Sequence, residues 1–302
     1  MSLGDIASRL LAPPPAVAID GPAAWLRVHR EAAAGTGDSV LRALAGGAAA
    51  DRPGWAFASG YHEALRRLIP AVGERAVALA ATEAGGAHPR AIATRLASGR
   101  LDGVKSFVTL APACDAAVVI ASQGESGGRN QLVALLVPLD RDGVSLEALP
   151  PTAFAPEVPH AAITFRAVAV LPGERLPGDG YTDYLKPFRT VEDIHVMAAI
   201  AAWLAATFSR AGAPGAAPAE ELAALAAALV AIGNLDPRAQ TSHRLLGGAL
   251  AALDQAITRA EPVWSAVDPA VRARWQRDRP LLQVAGAARA ARLNRARSAA
   301  IE

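Results

Sequence analysis

The hydrophobic period of the chain changes twice, and this change constrains the fold more than any other feature. Between residues 75 and 171 the apolar residues form short or alternating runs, separated by Gly, Pro, Asn and Asp, as in β-strands. Six strands at this spacing predict an antiparallel sandwich or barrel rather than βαβ units. The runs lie at 77–81, 104–109, 116–121, 132–137, 144–148 and 160–167.

Helical spacing precedes and follows this β region. In the N-terminal part, Gly and Pro punctuation predicts four short helices at 3–11, 23–34, 39–44 and 61–69, the third ending before Gly46 and Gly47. The C-terminal part predicts a four-helix bundle from helices at 184–210, 219–232, 237–259 and 269–298. The sequence therefore predicts an α+β protein with a small N-terminal helical layer (1–74), a central antiparallel β-domain (75–176) and a C-terminal four-helix bundle (177–302).

Composition excludes several classes of function. The chain has 302 residues with 30 Lys and Arg against 28 Asp and Glu, and this near balance argues against a nucleic-acid partner. A single cysteine, Cys114, rules out an intramolecular disulfide and multi-cysteine metal sites, and it favours a reducing cytoplasm. Six histidines at no ligand spacing argue against a metal site. The apolar runs 196–208 and 222–232 fall short of the roughly 20 residues that cross a bilayer, so no membrane span is predicted.

Two neighbouring motifs carry a family resemblance. The first is the turn Thr82-Glu83-Ala84-Gly85-Gly86-Ala87-His88-Pro89, and the second is the strand Gly103-Val-Lys-Ser-Phe-Val-Thr109. Together they resemble the middle β-domain of the acyl-CoA dehydrogenase superfamily, and the order of helices, strands and helices is similar from about residue 55 onward. The resemblance implies FAD as cofactor and an acyl-CoA or related small molecule as substrate. It also implies a homodimer or homotetramer formed through the C-terminal bundle.

The same resemblance assigns cofactor-binding roles. Thr82 stands where the family has a Thr that bonds the flavin edge, and Phe107 and Thr109 stand at the aromatic and hydroxyl positions of the strand facing the flavin. Strand alternation predicts that these two share a face with Lys105. His88 occupies a position that holds Ser in the family and could donate a hydrogen bond. The alternatives are a Thr82 that bonds its own turn, a Phe107 in the core and a solvated His88.

The resemblance also requires a carboxylate base. Most members supply a Glu near the end of the bundle, but nothing in residues 260–302 resembles that segment. A minority supply it from the first bundle helix, and the segment 188–193 is similar, with Asp193 where Arg is usual. Glu192 is therefore the candidate catalytic residue, and an exposed capping carboxylate is the alternative.

Two other functions stay open. A degenerate, non-catalytic binding or assembly protein would account for the short N-terminal layer and the missing base segment. A flavin-dependent monooxygenase would use a histidine near the flavin, for which His195, three residues beyond Glu192, is the candidate.

Overall fold

The computed structural model describes residues 1–298, and its contacts divide them into two compact units. The first unit contains residues 1–64, the segment Thr152–Glu157 and the chain from Thr190 onward. The second contains Leu65–Pro151 and Val158–Arg189. N-terminal helices, a central sheet and C-terminal helices follow one another along the chain, so the α+β prediction is confirmed.

Four helices form the N-terminal part: α1 (Leu3–Leu11), α2 (Pro22–Ala33), α3 (Ser39–Ala49) and α4 (Pro53–Leu68). Helix α1 begins at a capping box between Ser2 and Asp5. The prediction that Gly46 and Gly47 end the third helix is wrong, because both lie inside α3. A Cβ on Gly46 would stand 2.2 Å from His29 Nδ1, and one on Gly47 would stand 2.1 Å from the Ala199 carbonyl oxygen. These glycines therefore permit close packing.

The second unit is built on one seven-stranded sheet. Its order is β1-β4-β2-β3-β7-β6, with β5 paired to β4. The strands are β1 (Val77–Ala80), β2 (Arg95–Ala97), β3 (Arg100–Thr109), β4 (Ala116–Ser126), β5 (Arg129–Pro138), β6 (Val144–Ala148) and β7 (His160–Ala169).

Most of these pairs are antiparallel as predicted, but β4 runs parallel to both β1 and β2. The sheet is therefore mixed. Strand β2 has three residues, too few to give a hydrophobic period, and the sequence did not predict it. The alternating apolar residues of β3, β4, β5 and β7 face one core, which includes Leu101, Val119, Leu135 and Phe165.

Between the sheet and residue 298 the chain forms five helices: α5 (Lys186–Arg210), α6 (Ala216–Gly233), α7 (Gln240–Arg259), α8 (Pro269–Asp278) and α9 (Gly286–Ser298). The predicted single helix from 269 to 298 is wrong, because Pro280 lies in a 3-10 segment, Arg279–Gln283, that separates α8 from α9. The C-terminal helices pack around Trp203, Trp264 and Trp275, whose ring centroids lie 5.5 to 6.3 Å apart.

Two helical stretches are long and apolar enough to cross a membrane by length and composition, 180–210 and 213–233. In the first, 94% of the most apolar window is buried within the protein, as in the core helix of any folded domain; in the second the share is 39%. Such helices are weak evidence for a membrane span.

Candidate functional site

The turn after β1 presents Thr82. Glu83 and Gly86 exchange backbone hydrogen bonds of 3.1 and 2.8 Å, which close the turn, and Gly86 adopts a φ of +91° that favours glycine. The carbonyl oxygen of Thr82 accepts a 2.9 Å hydrogen bond from the Ser106 amide. This bond attaches the turn to β3, so the two sequence motifs are neighbours in space.

Strand β3 contains a β-bulge that redirects its side chains. The pairing with β7 shifts register between Lys105 and Val108, and both of these residues are fully buried. Phe107, by contrast, is 42% exposed. The predicted shared face of Lys105 with Phe107 and Thr109 is therefore wrong, because the extra residue of a bulge interrupts the alternation. The exposure of Phe107 also excludes its alternative place in the sheet core.

A third strand contributes His160 to the same surface. Thr109 pairs with His160 across β3 and β7, and the ring centroids of Phe107 and His160 lie 4.4 Å apart. Burial lowers the pKa of His160, so its imidazole is neutral at pH 7. The sequence did not identify His160, because its partner is set by a strand register that spans about fifty residues. We call the surface formed by Thr82, Ser106, Phe107, Thr109 and His160 the β3 wall.

The two threonine hydroxyl groups of the β3 wall are available to a ligand, whereas the Ser106 hydroxyl donates to the Thr82 carbonyl oxygen at 3.4 Å. Within residues 1–298, the side chains of Thr82 and Thr109 make no hydrogen bond, although both residues are partly accessible. The alternative in which the Thr82 hydroxyl bonds its own turn is thus not observed. An exposed aromatic ring between free hydroxyl groups can stack on a flat heterocycle and donate hydrogen bonds to its edge.

His88 lies further along the turn and is exposed. Its Nδ1 accepts a 3.3 Å hydrogen bond from the Arg90 amide at the start of a short 3-10 segment. In the neutral ring this leaves the proton on Nε2, which can donate outward. This orientation is compatible with the predicted role of His88 as a donor to a ligand. The hydrogen bond that caps the 3-10 segment also gives His88 a purely structural role.

Glu192, Asp193 and His195 belong to the first unit, on α5. Glu192 is partly exposed, whereas Asp193 is 3% exposed and accepts hydrogen bonds from Arg289 Nε at 2.7 Å and Arg292 Nη2 at 2.6 Å. The acid at a position where the resemblance expects Arg is thus neutralised by two arginines of α9.

His195 is buried and engaged at both ring nitrogens. Nδ1 lies 2.7 Å from the Val191 carbonyl oxygen and Nε2 lies 2.8 Å from Ser39 Oγ. A histidine held in this way connects α5 to the first residue of α3. Its geometry is that of a core residue, and it gives no support to the monooxygenase role.

A second group of ionisable residues lies buried among α2, α3 and α4. His29, His62 and Glu63 bring one nitrogen or oxygen each to within 4.8 Å of one another, a grouping that the sequence spacing did not reveal. Glu63 Oε1 accepts from His29 Nε2 at 2.8 Å and from Arg42 Nε at 2.9 Å. A metal ion would have to displace the proton that His29 shares with Glu63 and would add charge beside Arg42, so the donors fit a buried hydrogen-bonded ion pair better than a metal centre.

Comparison with known proteins gives one family match and several structural matches. Residues 78–168 match the family described as acyl-CoA dehydrogenase, middle domain. Glutaryl-CoA dehydrogenase from Mycobacterium smegmatis is similar in structure, with a TM-score of 0.70, 13% identity and coverage of 99% of this chain and 94% of that one. A second structure of that enzyme, in complex with FADH2, has a TM-score of 0.70 at 11% identity and covers 99% of this chain and 95% of that one.

Two further matches differ in the activity that their names describe. Butyryl-CoA dehydrogenase from Megasphaera elsdenii has a TM-score of 0.61 and 16% identity, covering 91% of this chain and 88% of that one. Dibenzothiophene monooxygenase from Paenibacillus has a TM-score of 0.65 and 16% identity, covering 97% and 96%. Among curated protein sequences, none matches the chain. At these identities the likeness shows the fold, and it extends over the N-terminal helices as well as the part from residue 55 onward.

Proposed function

We propose that this protein is an FAD-dependent oxidoreductase acting on the CH–CH group of an acyl thioester. The premise is that the chain has the fold of the acyl-CoA dehydrogenase superfamily and that residues 78–168 match its middle domain. The observation that carries the proposal is the β3 wall, where Thr82, Phe107 and Thr109 are presented together. Phe107 remains 42% exposed even though its ring lies against His160.

The residues of the β3 wall fit a flavin ring. Covering the exposed part of Phe107 would gain about 25 cal/mol for each Å² of apolar surface removed from water. The unbonded hydroxyl of Thr82 would donate to the edge of the ring, and that of Thr109 offers a second donor. His88 would donate from Nε2 to the cofactor or the substrate. Bound FAD would supply the acceptor for the hydride that leaves the β-carbon of the substrate.

We assign the removal of the α-proton to Glu192. Glu192 is partly exposed and precedes Asp193, whose carboxylate accepts hydrogen bonds from Arg289 and Arg292. A base of this kind must hold no proton before the substrate arrives and must take one from carbon during the reaction. Glu192 is the residue that the family resemblance singles out for this task.

The alternative is a non-catalytic member of the superfamily that retains the fold as a binding or assembly protein. The departure of the C-terminal residues from the usual base segment favours it. On either reading we place the protein in the cytoplasm, as a homodimer or homotetramer formed through α5 to α9. Burial of Cys114, with a smaller effect of Asp115, raises the pKa of its thiol to about 12, so this cysteine is a poor nucleophile.

One experiment separates the two readings. The purified protein is incubated with FAD, freed of excess cofactor, and tested for flavin absorbance and for bleaching by short- to long-chain acyl-CoA esters without oxygen. We expect a yellow protein that some ester bleaches, and an E192Q variant that binds flavin equally but bleaches at least 100-fold more slowly. A yellow protein that no ester bleaches would support the non-catalytic alternative. A protein that takes up no flavin would overturn the proposal.

A further inference from the structure

Lys105 is a fully buried lysine directly behind the β3 wall. Its ammonium group lies 2.6 Å from Glu83 Oε1, 2.6 Å from the Ile120 carbonyl oxygen and 3.4 Å from the Ala81 carbonyl oxygen. Three acceptors match its three N–H donors, so the buried charge is fully bonded. The bulge in β3 makes this possible, because it turns Lys105 inward while Phe107 two residues later faces outward.

Glu83 extends the same network into the turn. Its carboxylate accepts from the amides of Ala93 at 2.8 Å and Thr94 at 3.0 Å, in addition to Lys105. Burial would raise the pKa of Glu83, but the hydrogen bonds from Lys105 and from the two amides outweigh it and lower the pKa, so the carboxylate is ionised at neutral pH. One ion pair therefore joins β3, β4 and both ends of the segment 83–94.

Thr82 is enclosed by these contacts. The carbonyl of the residue before it accepts from Lys105, the side chain of the residue after it accepts from Lys105, and its own carbonyl accepts from Ser106. One ammonium group thus contacts the residues on both sides of Thr82, through the Ala81 carbonyl oxygen and the Glu83 side chain. Its hydroxyl is the part left unbonded.

We propose that Lys105 and Glu83 are positioning residues that hold the Thr82 hydroxyl, and with it the β3 wall, in the geometry that meets the cofactor. The assignment rests on the proposed function, because it gives the ion pair a role in cofactor binding beyond stability. Neither residue needs to touch the flavin. A donor misplaced by even 1 Å loses much of its effect on charge that develops on a bound ring.

A double-mutant cycle tests this role. FAD affinity and the midpoint potential of the bound flavin are measured for the wild type, K105M, T82A and K105M/T82A. We expect K105M and T82A each to weaken FAD binding about tenfold and to make the potential more negative, because a donor to the reduced ring is lost or misplaced. The double variant should bind within about twofold of T82A, since Lys105 acts through Thr82.

Additive losses in the double variant, near 100-fold, would overturn the assignment, and so would a K105M protein whose potential and affinity equal those of the wild type. Should K105M fail to fold, E83Q takes its place in the cycle, because Gln keeps the shape of the side chain and removes its charge. Its single carbonyl oxygen can still accept from the Thr94 amide, whereas the acceptor for the Ala93 amide is lost. If K105M only destabilised the protein in general, its melting temperature would fall, but the midpoint potential of the bound flavin would not become more negative as it does in T82A.

The matched control is R141M, which removes a second ion pair of the same unit. Arg141 bonds both carboxylate oxygens of Glu174 and does not contact the turn. We expect R141M to leave affinity and potential within twofold of the wild type, and an R141M effect equal to that of K105M would also refute the positioning role. A wild type that binds no flavin would remove the proposed function itself, whereas a flavin-loaded wild type with an unaffected K105M removes this assignment alone.

Discussion

At the scale of single residues, the two glycines inside α3 show how closely helices approach in the first unit. We expect G47A to lose about 2 to 3 kcal/mol of unfolding free energy, since its Cβ would meet a backbone oxygen of α5 that cannot rotate away. Urea denaturation followed by circular dichroism measures the change.

Gly248 is the matched control, because it lies on the exposed side of α7 and a Cβ there would meet nothing within 4 Å. G248A should be neutral or stabilise the protein by up to about 1 kcal/mol through helix propensity. Equal stability of the two variants would contradict the close packing of α3 against α5.

The sequence predicted some of the candidate site and missed the rest for a definite reason. The motif gave Thr82, Phe107 and Thr109; the structure attaches the Thr82 turn to β3 and leaves Phe107 exposed, and a role for these residues in cofactor binding stays a prediction. It could not give the inward direction of Lys105, which depends on a bulge in the pairing with β7, or the contribution of His160, which depends on register. The type of each residue is read directly from the sequence, whereas the direction in which its side chain points on β3 depends on how β3 pairs with β7.

At the scale of secondary-structure elements, the buried ion pair of Glu63 connects α2, α3 and α4. Burial alone would raise the pKa of Glu63, but the hydrogen bond from His29 and the charges of His29, His62 and Arg42 outweigh it and lower the pKa to about 2. A carboxyl group with a lowered folded-state pKa stabilises the protein above its unfolded pKa of 4.5. That contribution is lost as the pH falls from about 4.5 towards 2.

We therefore expect E63Q to lose about 3 kcal/mol at pH 7, because it leaves Arg42 without its buried counter-charge. Its stability should also fall less steeply than that of the wild type below pH 4.5. The control is E221Q, which breaks an exposed pair with Arg259 and should cost about 1 kcal/mol or less. Parallel pH profiles for E63Q and the wild type, measured by urea denaturation, would show that the Glu63 charge does not stabilise these helices.

The observed bounds of helices and strands agree with the predicted ones where the local Gly, Pro and capping signals are consistent with tertiary packing. Helix α1 and strand β6 have the predicted bounds, because a cap or a turn ends each of them. Gly46 and Gly47 suggested a helix end that tertiary packing overrides, and Pro280 broke a helix whose hydrophobic period continued through it. A glycine can end a helix or permit close packing inside it, and a proline can start a helix or interrupt it. Which of these occurs depends on the residues that lie nearby in the folded structure.

For the whole molecule, the order of helical, strand and helical segments predicted the fold, because such a change of period leaves few architectures for a chain of this length. The order of helical and strand segments could not show how much of the chain resembles known structures. Similar structures cover the N-terminal helices too, where neither motif lies. The overall likeness therefore identifies the fold, and the activity has to be established at the β3 wall and at Glu192.

Hydrogen exchange across the whole chain would locate the cofactor without assuming any residue's role. A ligand present at 100 times its dissociation constant stabilises the bound state by about 2.7 kcal/mol, so amides that exchange only when the site opens should slow by about 100-fold. We expect FAD to protect the turn 82–86 and the strand segment 105–109 together, because the Thr82–Ser106 hydrogen bond joins them. The edge strand β6 belongs to the same sheet but contributes nothing to the β3 wall, and its exchange should stay unchanged. Protection confined to the first unit, or equal protection of β6 and the two wall segments, would place the cofactor elsewhere.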